Sequence, residues 1–423
     1  MTASPLPWQP EPIARIADNL RSGRSCLDCS DPGIGKTFIA AFAARTVGAS
    51  LGIVCPKSVI PAWNEALAAV GVKSIFTHNI EQLKTGKYPW LQRSLGDNWK
   101  WRMPDDGVLV FDEAHGFAGS ETENGIILAC APRPSLMLSA TMADSPMRMR
   151  AVAHQLGICK WGDFHSWAGK HGCVRDRFKG WKFRGTENDM LKLHSAIFDA
   201  GHGVRVRIRD LGNLFPENRV RTIEVPVEDP EQIQDEYAVA IRMLRDNSPS
   251  AEGYLTRCRQ LAEYAKIPAL VELAKCDVAE GRAVAIFVNY KDTVRRIAEL
   301  LKCPKIDGDT SPEDREKNRK AFQANEVLEI VATNDVGAQS ISMHDIRGRH
   351  PVSTKICPGF SARMLIQALG RCHRAGGKSP VDQTLVFAQG VESDSIVRSN
   401  VEKKKGCIET LNDGDLTDRP PER

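Results

Sequence analysis

The run Ser30-Asp31-Pro32-Gly33-Ile34-Gly35-Lys36-Thr37 constrains the fold of this chain more than any other feature. It follows an apolar stretch, Ser25 to Cys29, and opens a helical one, Phe38 to Ala44. Strand, glycine loop and helix in that order form a phosphate cradle. Loop N–H groups converge on an anion, and the helix N-terminus adds positive potential. Lys36 can reach the β- and γ-phosphates, and the Thr37 hydroxyl can ligate Mg2+. The pattern G-x-x-x-x-G-K-[ST] is met at every position but the first, where Ser30 stands.

Such a cradle belongs in a parallel sheet, and the rest of the chain alternates accordingly. Short apolar runs at 25–30, 51–56, 73–78, 107–112 and 134–140 predict strands, with helices at 36–47 and 57–70. That alternation implies a mostly parallel α/β sheet with helices on both faces. From about 143 to 220 the pattern lapses into an irregular stretch rich in Trp, His, Gly and Arg. Helices then return at 231–246 and 254–280. They are followed by strands at 283–289, 328–333, 352–357 and 383–388 and helices at 290–302, 311–324 and 361–373. The expected organisation is two α/β lobes, 1–225 and 226–411, with a mixed insertion at about 143–205 closing the first and a loose polar tail over 412–423.

Two further clusters carry chemistry. The apolar strand Val108-Leu109-Val110-Phe111 ends in Asp112-Glu113-Ala114-His115. An acidic pair at the carboxyl end of a parallel strand sits beside the phosphate loop in this architecture. Asp112 suits the Mg2+ shell, and Glu113 suits orientation and deprotonation of an attacking water. Far downstream, Ser361 to His373 reads as a helix. Gln367, Arg371 and Arg374 would then stand at i, i+4 and i+7, on one face. Two arginines aimed together fit a triphosphate, because their planar forks bind phosphate oxygens.

Together these residues resemble the superfamily-two helicases. Asp112-Glu113-Ala114-His115 is similar to that superfamily's second motif, Ser139-Ala140-Thr141 to its third, and Gln367-x-x-Gly370-Arg371-x-x-Arg374 to its sixth. Ile53-Val54-Cys55-Pro56 followed by Trp63 resembles the Swi/Snf branch. So does Ile208-Arg209-Asp210 with Leu214-Phe215-Pro216, Gln234 and Tyr237, where that branch crosses into its second lobe. Thr333 to Ser342 resembles the fifth motif, with Ala338, Ser340 and Ser342 in place of two glycines and an asparagine. Pro7-Trp8-Gln9 resembles the segment that reads adenine.

The resemblance implies two RecA-like lobes. It also implies ATP and Mg2+ as cofactors, Gln9 at the adenine edge, Glu113 as base, and Arg371 and Arg374 as arginine fingers. The expected activity is ATP hydrolysis coupled to movement on DNA, with duplex preferred and single strands accessible. An RNA helicase of the DEAH or DEAD kind, or a nucleotide-gated assembly subunit that does not travel, is the alternative.

Contacts to nucleic acid are expected from Lys57 and Thr77 at strand ends, though both also suit caps or exposed strand termini. The segment 170–184 carries Lys170, Arg175, Arg177, Lys179, Lys182 and Arg184 against Asp176, interleaved with Phe178, Trp181 and Phe183. Cations and rings in that pattern suit a phosphate backbone and stacked bases. They equally suit a basic hairpin packed on the first lobe. Residues 1–225 hold 28 Lys and Arg against 22 Asp and Glu, the remainder 29 against 31, so any electrostatic pull on nucleic acid is expected in the first half.

No apolar run approaches the ~20 residues of a membrane span, and the amino terminus is not a signal peptide. Scattered Cys, with Cys26 and Cys29 read as packing residues, fit a reducing compartment. The expected setting is cytoplasmic or nucleoid-associated, and the architecture would suit a phage or mobile element. With no reader domain after the sixth motif, targeting would come from a protein partner, the insertion or DNA shape.

Overall fold

Ala283–Val288 is buried at every position, and the four central residues of Gly107–Asp112 are buried as well. Strands of this kind are covered on both faces, which parallel sheets require. The computed structural model describes residues 3–94, 99–119, 121–176, 180–335 and 342–413. The chain divides into two units, Met1–Leu211 with Lys405–Arg423, and Gly212–Lys404.

The first unit contains a six-stranded parallel sheet in the order Gly203–Val204, Cys26–Asp28, Ser135–Leu138, Gly107–Asp112, Ser50–Val54, Ser74–His78. The helix Lys36–Val47 leaves the end of Cys26–Asp28 through a loop in which Gly33 and Gly35 have φ of 88° and 93°. Only glycine holds such angles without strain. Gly48, at φ 73°, stops the helix by donating to the carbonyls of Ala44 and Arg45. One face of the sheet rests on a core that includes Leu27, Phe76, Trp99, Trp101, Leu109, Phe111 and Met137.

The second unit contains another six-stranded parallel sheet, ordered Asn218–Val225, Val381–Ala388, Val352–Ile356, Ala283–Val288, Glu329–Thr333, Lys305–Ile306. Helix Lys291–Leu301 buries Val294 and Ile297 beneath it.

The structure differs from the expected outline in four places. Asn218–Val225 pairs along its whole length with Val381–Ala388, so these residues lie in the second unit's sheet and the division falls at Leu211 and Gly212 rather than 225. The described residues of 143–220 include the helices Arg150–Gln155, Phe164–Lys170 and Glu187–His194 and a hairpin of Cys173–Asp176 with Gly180–Phe183. The predicted helix 254–280 is two, Ala251–Tyr264 and Ile267–Ala279, because Pro268 cannot donate into a continuous helix and instead occupies the first turn of the second. The fourth difference concerns the helix bearing Gln367, taken up with the site. Of the expected tail, 414–423 lies outside the described residues, while helix Glu392–Asp413 runs into its start.

Candidate functional site

The glycine loop Ser30–Thr37 is fixed by its own backbone and by the segment that follows the edge strand Gly203–Val204. Lys36 Nζ donates to the carbonyls of Ser30 and Asp31 at 2.7 and 3.1 Å. Ser30, the departure from the loop pattern, accepts the Val206 N–H on its hydroxyl at 3.0 Å. Asp31 accepts the Ile208 N–H at 2.8 Å and pairs with Arg205 at 2.7 Å, and its own N–H donates to the Val206 carbonyl. A glycine at position 30 would forfeit the hydroxyl contact, which explains why serine serves there. Thr37 is half-buried at the second residue of the helix.

Gln9 lies behind the loop, buried. Its carbonyl accepts the Leu6 N–H at 3.0 Å and its amide donates to the Ile34 carbonyl at 3.3 Å. Trp8 Nε1 donates to the same carbonyl at 3.2 Å. A Cβ on Gly35 would stand 2.8 Å from the Gln9 amide nitrogen, so the loop and this segment approach as closely as glycine permits.

Asp112 ends the strand Gly107–Asp112, two strands from the loop's own. One carboxylate oxygen accepts the Trp63 indole N–H at 2.8 Å and the other accepts the Glu113 N–H at 2.9 Å. Burial, then the neighbouring Glu113 carboxylate, pushes the Asp112 acid up to about 6. The Trp63 hydrogen bond, then the Lys36 ammonium, oppose that rise. Glu113 sits at φ 51°, ψ 48°, a left-handed conformation that a non-glycine residue keeps only when its surroundings impose it. His115 Nδ1 is 3.2 Å from a Glu113 carboxylate oxygen and 3.1 Å from Ser139 Oγ, which ties the second motif to the third.

In the second unit the helix bearing Gln367 is Ala362–Leu369, capped by Ser361 and ended at Gly370. Arg371 and Arg374 therefore do not share a helix face with Gln367. They lie in the turn beyond, because glycine is a poor helix former and the chain leaves the helical path at Gly370. Arg371 is buried, and its carbonyl accepts the Met343 N–H at 2.9 Å. Arg374 donates to the Gly370 carbonyl at 2.8 Å and to Ser342 Oγ at 2.9 Å. His373 donates to the Pro216 carbonyl at 2.8 Å with its ring edge-on to Phe215, so Phe215 and Pro216 pack within this unit. The fifth-motif residues 336–341 lie outside the described residues.

Lys57 is exposed just past the end of Ser50–Val54, and Thr77 lies near the same end of the adjacent strand, opposite Ile53. In the second unit, Lys291 is paired with Asp309. In the 173–183 hairpin, Trp181 stacks on His165 at 5.1 Å, and both Trp181 and Phe183 pack against the first unit's core. Lys182 and Arg184 approach Asp176 at 3.9 and 3.4 Å and remain substantially exposed. Trp181 and Phe183 thus serve packing, while Lys182 and Arg184 face outward; Arg177, Phe178 and Lys179 lie outside the described residues.

The contacts of Asp28 with Ser30, of Trp63 with Asp112, of His115 with Ser139, and of Arg205 and Val206 with the loop emerge only from the structure. For Asp28 the signal was present, an acid inside an otherwise apolar strand run.

The Helicase conserved C-terminal domain family matches residues 265–376. L364 of Acanthamoeba polyphaga mimivirus, named as a candidate ATP-dependent RNA helicase, is 30% identical over 98% of this chain and 85% of its own length. A SWI/SNF-related matrix-associated actin-dependent regulator of chromatin, subfamily A-like protein 1 of Xenopus tropicalis, is 25% identical over 88% of this chain and 42% of its own. The structure of S. cerevisiae Dbp5 bound to RNA and ADP BeF3 is similar at a TM-score of 0.52 and 13% identity, covering 95% of this chain and 92% of that one.

Proposed function

This chain belongs to the superfamily-two helicases, ATP-hydrolysing nucleic-acid motors with two RecA-like units, and from that membership we propose that its ATP site is the Ser30–Thr37 loop with Asp112 and Glu113, and that its track is duplex DNA. The observation that carries the ATP site is one parallel sheet in which Cys26–Asp28 leads into the glycine loop, with Gly33 and Gly35 at φ 88° and 93° ahead of Lys36, and Gly107–Asp112 ends in the acid pair Asp112 and Glu113.

In this reading the Lys36 amine, with three donors to share, keeps the Ser30 carbonyl and exchanges the Asp31 carbonyl for phosphate oxygens. The oxygen donors of Thr37 and Asp112 suit a hard divalent cation. They would hold Mg2+, which would neutralise charge at the β- and γ-phosphates. Glu113 orients the water and takes its proton on a carboxylate oxygen. Gln9, whose amide braces Ile34, is proposed to border the adenine. Gln367, Arg371 and Arg374 are proposed to offset charge on the departing phosphoryl group, a role that rests on their match to the sixth motif.

Duplex DNA is favoured by the Cys55-Pro56 and Trp63 pattern and by the chromatin-regulator relative. The viral relative named for RNA supports the second reading, an RNA track. Lys57, Thr77 and Lys182 are proposed backbone contacts, because two lie at adjoining strand ends and the third faces outward from the hairpin.

The test is the ATPase rate without nucleic acid and with duplex DNA, single-stranded DNA or RNA, beside Lys36→Ala and Glu113→Gln. Duplex DNA should stimulate most, and each substitution should cost on the order of a hundredfold or more. Stimulation by RNA alone would establish the second reading. Equal rates in all four conditions would remove nucleic acid from the cycle. Lys57→Glu with Lys182→Glu should weaken DNA binding and lower its salt slope by roughly one for each phosphate that is no longer neutralised.

A further inference from the structure

Asp28 closes the strand Cys26–Asp28, between Gly203–Val204 and Ser135–Leu138, and its side chain is fully buried. Its register partners are Val204 and Leu138, so the surroundings suit an apolar residue. One carboxyl oxygen, Oδ1, accepts the Ser30 N–H at 2.8 Å, while the buried Oδ2 has no hydrogen-bond partner. A half-satisfied buried carboxyl is costly, and packing alone does not account for it. Its hydrogen bonding goes to Ser30, the first residue of the loop, whose hydroxyl as well as whose N–H favours the ionised acid.

Ser30 is held at three polar atoms. Asp28 takes its N–H, the Val206 N–H meets its hydroxyl, and its carbonyl receives the Lys36 amine at 2.7 Å. The first two contacts fix the rotation of Ser30 and so aim the third. We propose that Asp28 is a positioning residue of the phosphate loop, acting through Ser30 to orient the carbonyl that seats the Lys36 amine. Burial raises the Asp28 acid above the ordinary carboxylate range, with Lys36 foremost among the groups that oppose it, in keeping with an amine close by. An oxygen acceptor at Oδ1 is what the role requires, whether or not the acid is ionised. The inference rests on the reading of this loop as the ATP site.

The test compares Asp28→Asn, which keeps an acceptor oxygen in place, with Asp28→Leu, which fills the strand but offers none. Asp28→Ala serves as a second acceptor-free variant should leucine crowd the sheet. Binding of a methylanthraniloyl ADP is followed by fluorescence, ATPase kinetics give KM and kcat, and thermal melting without nucleotide reports the fold. The acceptor-free variants should bind the nucleotide about tenfold more weakly and raise KM by a similar factor, with kcat within about threefold. The asparagine variant should restore both to within about twofold of the parent, and the melting temperature should not follow the loss of affinity. Acceptor-free variants that bind like the parent would overturn the proposal, as would an asparagine variant as weak as leucine. Lys36→Ala separates the two levels. If it binds the probe unchanged, the ATP-site reading fails; if it loses binding while the Asp28 variants do not, only the positioning role fails.

Discussion

The indole N–H of Trp63 donates to Asp112 Oδ2 at 2.8 Å, and Trp63 itself is wholly buried in the helix Ile60–Val70. A ring of this size cannot move without disturbing its packing, so the carboxylate it holds is fixed in turn. Asp112 is the proposed holder of Mg2+, and partners of this kind orient metal-binding carboxylates. Trp63→Phe keeps most of the packing and deletes the donor. Its expected effects are a shift of the Mg2+ dependence of ATPase to higher concentration, a fall in kcat of about tenfold, and a stability loss of roughly 1–3 kcal/mol. A magnesium titration of the ATPase rate beside urea unfolding checks all three.

The Asp31–Arg205 pair fastens the proposed phosphate loop beside the edge of its sheet at 2.7 Å, with both side chains largely buried. A double-mutant cycle with Asp31→Ala and Arg205→Ala should give a coupling of about 1 kcal/mol in unfolding. Each single variant should also weaken ADP binding, because the loop loses its tether. Additive single effects would show that the two side chains act independently.

His344 gives the second unit an acid-sensitive element. Burial, then Arg374 and Arg319, pushes its imidazole down to about 4 from the ordinary 6.5; Asp345 opposes them, and Gln323 Nε2 lies 3.5 Å from the ring. The unfolded chain thus binds a proton that the folded chain refuses. The stability due to this group is full above pH 6.5 and is lost as pH falls through about 4, by about 3 kcal/mol at most. Urea unfolding at pH 7.5, 6 and 5 should show the decline, and His344→Gln should flatten it.

Lys266 and Asp394 form a buried pair at 2.6 Å in the second unit. Removing one partner strands the other, so Lys266→Met should cost about 3–5 kcal/mol. Adding Asp394→Asn should recover part of that loss, because the stranded charge is then gone. Chemical denaturation of the single and double variants measures the difference.

Much of the fold was legible in the sequence because its signals are local. The runs that became Cys26–Asp28, Gly107–Asp112 and Ala283–Val288 are apolar enough to demand burial on both faces, and Gly33, Gly35 and Gly48 mark the turns that bound the helix Lys36–Val47. The helix around Gln367 was read too long because the spacing of Gln367, Arg371 and Arg374 fits a helical period, yet the chain turns at Gly370. The strand Asn218–Val225 escaped notice because most of it is exposed and polar, and only its pairing with Val381–Ala388 makes it a strand.

By itself the sequence determined the strand–loop–helix unit around Lys36, the acidic strand end at Asp112 and Glu113, and the Gln367 to Arg374 pattern that matches the sixth motif. Each of these is set by residues within a few positions of one another, where turn chemistry and side-chain period act directly. Only the tertiary structure decided that Ser30 serves Val206, 176 residues away, and that Trp63 holds Asp112 across 49. It also turned the hairpin's Trp181 and Phe183 toward the core and left Lys182 outside. Contacts across such separations leave no local pattern, because they arise only when the sheet brings distant strand ends side by side.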